Sequence, residues 1–178
     1  MSHLLEHHFI EAKKQNRNAQ KALYEMFSGK MLSIALSYIG NLHDAEDVLQ
    51  NAFYKGFTKI KNCQDWKTFP GWLRRIVINE SISFLRQNQK IFFTDLSEME
   101  SEIENDQEEN QYSNINLEEI FTQMPTGYKV VFNLFVFEDK KHQEIAELLS
   151  ITEGTSKSQL NKAKKWISEY LKTQCYEK

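Results

Sequence analysis

Cysteine is scarce in this chain, and its scarcity removes several chemistries at once. Only Cys63 and Cys175 are present among 178 residues. They lie far apart, have no partners at zinc-ligand spacing and form no disulfide framework, so a reduced, cytoplasmic protein is the simplest expectation. Glycine is sparse too, with six residues, none of them arranged as a phosphate-cradling loop. No Ser, Cys or His constellation suggests nucleophilic or acid–base catalysis. The adjacent His7 and His8 would point in different directions on a helix and make a poor metal pair. No enzyme, cofactor or bound metal is therefore expected. Long apolar runs are also missing. Nothing approaches the roughly 20 residues needed to span a membrane, and the opening MSHLLEHHFIEAKKQ has neither the basic start nor the apolar stretch of a signal peptide.

Positive charge is absent from one long stretch. From Ile91 to Tyr128 there is no Lys or Arg but there are ten acids, among them Asp95, Glu98, Glu100, Glu102, Glu104 and Asp106. The net charge of −3 hides this: with those ten removed, 22 basic residues face 15 acidic ones. The remaining sequence is basic, as suits a nucleic-acid binder. Within the acidic stretch, residues 94–114 hold few large apolar side chains. They cannot bury enough surface to offset the entropy of ordering, which predicts a flexible acidic linker. The expected organisation is all-α, with two small helical domains, 1–93 and 115–178, joined by that linker.

On the N-terminal side, Ala19, Leu23, Met26, Phe27, Met31, Ile34 and Tyr38 step at three and four, the stripe of an amphipathic helix that Gly40-Asn41 ends. A second helix, Leu42 to Ile60, buries Ala45, Val48, Leu49, Ala52, Phe53, Phe57 and Ile60. Its other face carries Asp44, Asp47, Gln50, Asn51 and Tyr54, and it opens with the acidic cluster Asp44, Glu46 and Asp47. In the following loop Trp66 and Phe69 stand beside Lys61 and Lys67. Such aromatics either stack on unpaired bases while the cations grip phosphates, or belong to the core. The next helix, GWLRRIVINESISFLRQ, has Pro70 at its start. It packs Trp72, Leu73, Ile76, Val77 and Phe84 and shows Arg74, Arg75, Asn79 and Arg86.

On the C-terminal side, Leu117 to Met124 is predicted helical, with Pro125-Thr126-Gly127 a turn. The run YKVVFNLFVFED has strand-like composition, but Tyr128, Val131, Phe132 and Phe135 fit a helical stripe and no strand elsewhere would pair with it. The last stretch, Lys140 to Leu171, reads as two helices across a tight turn. Ile145, Ala146, Leu148 and Leu149 recur in the first, and Thr152 is the N-cap candidate of the second. In that second helix Leu160, Ala163, Ile167 and Leu171 share a stripe. Thr155, Ser158, Lys162 and Lys165 point the other way, with Gln159 and Asn161 on the flanks. This is a helix-turn-helix whose second helix fits a major groove. Lys157, Lys162 and Lys165 suit phosphates, while Ser158 and Gln159 suit base edges.

Four segments in one order, DAEDVLQNAF, FPGWLRRIVIN, MPTGYKVVFNLFVFE and HQEIAELLSITEGTSKSQLNKAKK, resemble the extracytoplasmic-function group of bacterial sigma-70 family sigma factors. The resemblance covers Ala19 to Lys172 outside the linker. It implies an initiation subunit with core RNA polymerase and promoter DNA as partners, no membrane, and room for an anti-sigma protein. Core docking would fall on Asp44, Asp47, Gln50 and Asn51, against the clamp helices of the largest polymerase subunit, with the flap of the second largest subunit as a further contact. Asn51 replaces the usual acid there. The resemblance further implies a −10 element reader built from Lys61, Trp66, Lys67, Phe69, Arg74, Arg75, Asn79 and Arg86, with Ser83 where an Asp is common. It implies a −35 reader built from Thr155, Lys157, Ser158, Gln159, Lys162 and Lys165, with Ser150 in place of the Gly often found in the turn. The competing reading, an autonomous helix-turn-helix regulator, would need a dimerisation seam or sensory domain, and the N-terminal half offers no signature of either.

Overall fold

The structure, a computed structural model, describes residues 2–88 and 117–176, and side chains over 3–88 and 119–173. The predicted linker at 94–114 lies outside the described residues. Every regular element among those described is helical: α1 Ser2–Lys13, α2 Arg17–Ile39, α3 Leu42–Thr58, a 3-10 turn Ile60–Asn62, α4 Phe69–Gln87, α5 Leu117–Gln123, α6 Thr126–Val136, α7 His142–Leu149 and α8 Glu153–Tyr176. The all-α expectation and the terminal helix-turn-helix are both met.

Local chemistry sets the boundaries in the N-terminal half. Asn16 caps α2 by accepting from Asn18 N at 3.0 Å and Ala19 N at 3.2 Å. Gly40, at φ +87°, closes the helix in the left-handed conformation, which costs a residue without Cβ nothing. Helices α2, α3 and α4 pack around Leu23, Met31, Ile34, Tyr38, Val48, Leu49, Phe53, Leu73, Val77 and Ile82. Gly56 lets α3 and α4 approach closely, since a Cβ there would stand 3.2 Å from Leu73 Cδ1. Helix α1, whose apolar residues announce no stripe in the sequence, lies across this bundle. Its Phe9 and Ala12 are buried, and Lys13 Nζ donates to the Cys63 carbonyl at 2.8 Å.

The expected α2 stripe packs inward except at Met26, and the α6 stripe is rotated. Met26 is 38% exposed, because Leu23 and Met31 already occupy the packed side of α2. In α6 the packed residues are Val130, Val131 and Leu134, together with Lys129 and Asn133, while Tyr128, Phe132 and Phe135 are only half-buried. The cause is that α6 is covered twice, by α8 of its own half and by α2 of the other. Its polar flank therefore becomes an interface.

Candidate functional surfaces

Helix α3 presents the first surface. Its start is fixed by Asn41, whose side chain accepts from Asp44 N and donates to Asp44 Oδ2, both at 2.9 Å. Asp44 is thereby half-buried in the helix cap, not spread outward. The row Leu42, Glu46, Gln50, Tyr54 and the neighbouring Asp47 and Asn51 are all exposed, Tyr54 by 73%. Acids in the first turns also suit the positive end of the helix dipole, so the patch is compatible with a stable helix and remains open to a basic partner.

The second surface runs along α4. Arg75, Asn79, Ser83 and Arg86 recur near helical spacing and are exposed. Glu80 on the flank pairs with Lys55 at 2.6 Å. In the loop, Lys61 and Lys67 are exposed, and Trp66 is half-buried with Lys67 Nζ 5.6 Å from its ring centroid, within cation–π range. Phe69 does not belong with them. It is fully buried, with the rings of Phe9, Phe27 and Trp72 at 5.5, 5.6 and 6.0 Å. No base can reach it unless α1 and α4 separate. Arg74 is also engaged, paired with Glu138 of the C-terminal half.

The third surface is the helix-turn-helix. Lys141 N donates to Glu144 Oε2 at 2.9 Å, and that bond, with Lys140 beside it, holds the Glu144 carboxyl below its usual range. Ser150 ends α7 at φ +56°, ψ +47°, the conformation in which glycine is ordinarily favoured. Ile151 N returns to the Ala146 carbonyl at 3.0 Å. Thr152 caps α8, accepting from Thr155 N at 3.0 Å. His142 stacks on Phe135 at 4.8 Å and bonds Ser156 Oγ through Nδ1 at 2.9 Å. Burial, and then Lys157, push its pKa down.

Along α8 the buried side is Ser156, Gln159, Leu160 and Ala163. Gln159 is only 3% exposed, so the expected base-reading amide faces the core. Thr155 is also buried, its hydroxyl 2.8 Å from Thr152 Oγ1, and it shapes the turn. Gln159 lies one turn before Ala163 and Thr155 one turn before Gln159, so the row that ends on the packed Ala163 carries both inward. Lys157, Asn161, Lys164 and Lys165 are exposed, and Ser158 and Lys162 half-exposed. Lys157 pairs with Glu153 at 2.8 Å. Asn161, expected on the flank, is an exposed amide of this helix.

Comparison with known proteins now bears on this geometry. Family models for sigma-70 region 2 and sigma-70 region 4 match residues 23–91 and 115–167. RNA polymerase sigma factor SigV of Bacillus subtilis is 31% identical over 132 residues, covering 74% of this chain and 78% of its own. The chain belongs to the extracytoplasmic-function group of sigma-70 family RNA polymerase sigma factors. ECF sigma factor SigW of the same organism is 23% identical over 97% of this chain and 99% of its own. A solved structure, of CnrH in complex with the cytosolic domain of CnrY, is 16% identical over 96% of this chain, with a TM-score of 0.48.

This sigma factor therefore directs promoter-dependent initiation, with core polymerase and promoter DNA as partners. No described helix is long and apolar enough to cross a membrane. Gln159 supplies a direct test of how α8 is oriented. Its Oε1 is buried without a partner among the described residues, and an unpaired buried acceptor costs about 1–3 kcal/mol. Gln159→Met keeps the volume and removes the acceptor. Thermal melts are expected to show equal or greater stability, and promoter binding an unchanged base preference at every −35 position. Relaxed preference at one position would put Gln159 in the groove after all.

Proposed function

We propose that this sigma factor divides its work among three surfaces. Residues 1–93 dock on core polymerase through Asp47, Gln50 and Asn51 of α3 and read the −10 element through Trp66, Lys61, Lys67, Arg74, Arg75, Asn79 and Arg86. Residues 94–114 act as the acidic tether, and residues 115–178 read the −35 element. There Lys157, Lys162 and Lys165 hold phosphates, and Ser158 and Asn161 meet base edges. The partner at α3 is a basic coiled coil, the clamp helices of the largest subunit. The flap of the second largest subunit takes the C-terminal half. Phe69, Thr155 and Gln159 drop out of the reading sets because their side chains are buried.

The observation that carries this reading is the exposed acidic face at the start of α3, on a half-chain that is otherwise basic. Its physical sense is economy of contact. Opening about a dozen base pairs costs far more than one small domain supplies, at roughly 1.4 kcal/mol of stacking per step. A chain of this size favours melting only by trapping a few flipped bases while the polymerase serves as scaffold.

Asp47→Lys tests the docking face. The side chain is exposed, so the fold should survive, while the reversed charge should cost a few kcal/mol against a basic helix at intermediate dielectric. Competition with wild type for core polymerase is expected to show at least a tenfold loss, with circular dichroism unchanged. Equal competition by a folded variant would move the docking site elsewhere.

A further inference from the structure

Between α2 on one side and α5, α6 and the residues after α6 on the other lies a cavity that the three surfaces do not use. Its volume is about 230 Å³. Ile34, Phe121 and Phe137 give it apolar sides, and Tyr38 and Asn133 line it as well. So do Arg74 and Glu138, which pair with each other. Phe137 meets Phe121 edge to face and is 50% exposed, so this wall is not sealed from water and gives a ligand a way in.

Two polar atoms decide what the cavity would take. Tyr38 and Asn133 are each 1% exposed, and Tyr38 Oη and Asn133 Oδ1 have no partner among the described residues. Asn133 Nδ2 donates to the Ser37 carbonyl at 2.7 Å, so the amide cannot turn over without losing that bond, and its oxygen remains an acceptor. Burial, and then the Glu138 carboxylate, push the Tyr38 pKa up, so the phenol keeps its proton and is a donor. A buried donor and a buried acceptor left unpaired both weaken the fold. One hydroxyl group answers the two together, donating to Asn133 Oδ1 and accepting from Tyr38 Oη. A charged ligand is disfavoured, because Arg74 and Glu138 already neutralise each other and a further ion would lose its hydration unpaired. A dry apolar cavity of about 150 Å³ admits benzene, so this larger one has room for two fused rings. A single water, at about 30 Å³, would leave most of the apolar wall uncovered.

We propose that this cavity is a binding site for a small uncharged aromatic alcohol of two fused rings, its rings held by Ile34, Phe121 and Phe137 and its hydroxyl shared between Tyr38 and Asn133. The site stands apart from the docking and promoter assignments, since none of those five residues belongs to them. Because its walls come from both halves of the chain, the ligand binds only while they are in contact, and it stabilises that contact by mass action.

Equilibrium dialysis of the full chain against 2-naphthol, and separately against naphthalene, reads the site. 2-Naphthol should bind saturably, with a Kd below about 1 mM. Naphthalene, which has the rings without the hydroxyl, should bind about fivefold more weakly, the ratio expected for one net hydrogen bond. Tyr38→Phe keeps the ring and removes the hydroxyl, and it should narrow that preference. Ile34→Phe should fill the cavity and abolish binding. Should that variant fold poorly, Phe137→Ala changes a half-exposed position and should weaken 2-naphthol about fivefold through lost apolar contact. The proposal is overturned if 2-naphthol shows no saturable binding, as a cavity that holds only water would give. Equal affinity for the two probes overturns it too, as does 2-naphthol binding that Phe137→Ala leaves unmoved in a chain with unchanged circular dichroism. No arm contains polymerase or DNA, so this test and the docking test fail separately.

Discussion

Replacing Phe69 with alanine is expected to cost about 3–5 kcal/mol of stability, the range for deleting a buried aromatic ring. The ring is fully buried among Phe9, Phe27 and Trp72. It begins α4, so it ties α1 and α2 to the helix that carries the proposed −10 surface. Denaturant midpoints measure the loss. Phe69→Leu separates packing from recognition, since it keeps most of the apolar volume and none of the aromatic face. That variant should bind a pre-melted −10 template as wild type does, whereas Trp66→Ala, beside Lys67 at the surface, should bind it more weakly. If Phe69→Leu melted normally but lost the template, the ring would have to leave the core to stack on a base.

Lys129 should make stability depend on alkaline pH with an unusual sign. Burial lowers its pKa from 10.5 to about 8. Below about pH 8 the ammonium is charged in both folded and unfolded chains, and the folded state bears the full cost of burying it. Between about 8 and 10.5 the folded chain has released the proton while the unfolded chain still holds it, so stability attributable to Lys129 rises with pH. At about 1.4 kcal/mol per unit the whole gain is at most about 3 kcal/mol. Lys129→Met removes the charge and keeps the stem, and replacing a buried ion by a hydrophobe is often stabilising. Unfolding curves at pH 7, 8, 9 and 10 should show the variant more stable than wild type at pH 7, with the gap closing as pH rises. A gap that stays constant would mean that Lys129 keeps its proton throughout.

Most of the fold is legible in the sequence because seven of the eight helices among the described residues carry their own period and punctuation. Gly40-Asn41, Pro70, Thr152 and the turn at Pro125 mark ends that the structure keeps to within a few residues. Helix α1 escaped because its apolar residues form no clean stripe: Leu4 and Ile10 are exposed and only Phe9 and Ala12 are buried. Its register is chosen by the bundle beneath it. The rotation of α6 was hidden for a different reason. A helix covered from two sides has no single apolar face, and Lys129 and Asn133 are buried by a contact between halves that no local pattern encodes. By position alone Thr155 falls on the outward side of α8 and Gln159 on its flank, yet Gln159 packs on the inward stripe with Ser156, Leu160 and Ala163, and Thr155, one turn before Gln159, is buried at that stripe's edge. Phe69 shows the same lesson in a loop, where a ring beside lysines reads equally as stacker or core until its neighbours are known.

Initiation itself tests most directly whether this chain gives core polymerase its promoter choice by docking through α3. Core polymerase, purified free of other sigma factors, would be given wild type or Asp47→Lys and a library of random upstream sequences, and the start sites sequenced. Wild type is expected to select templates sharing two separated elements upstream of a defined start, and a folded Asp47→Lys protein at equal concentration few or none. Tight, sequence-specific duplex binding by the isolated chain, with no change in where core polymerase begins, would contradict it.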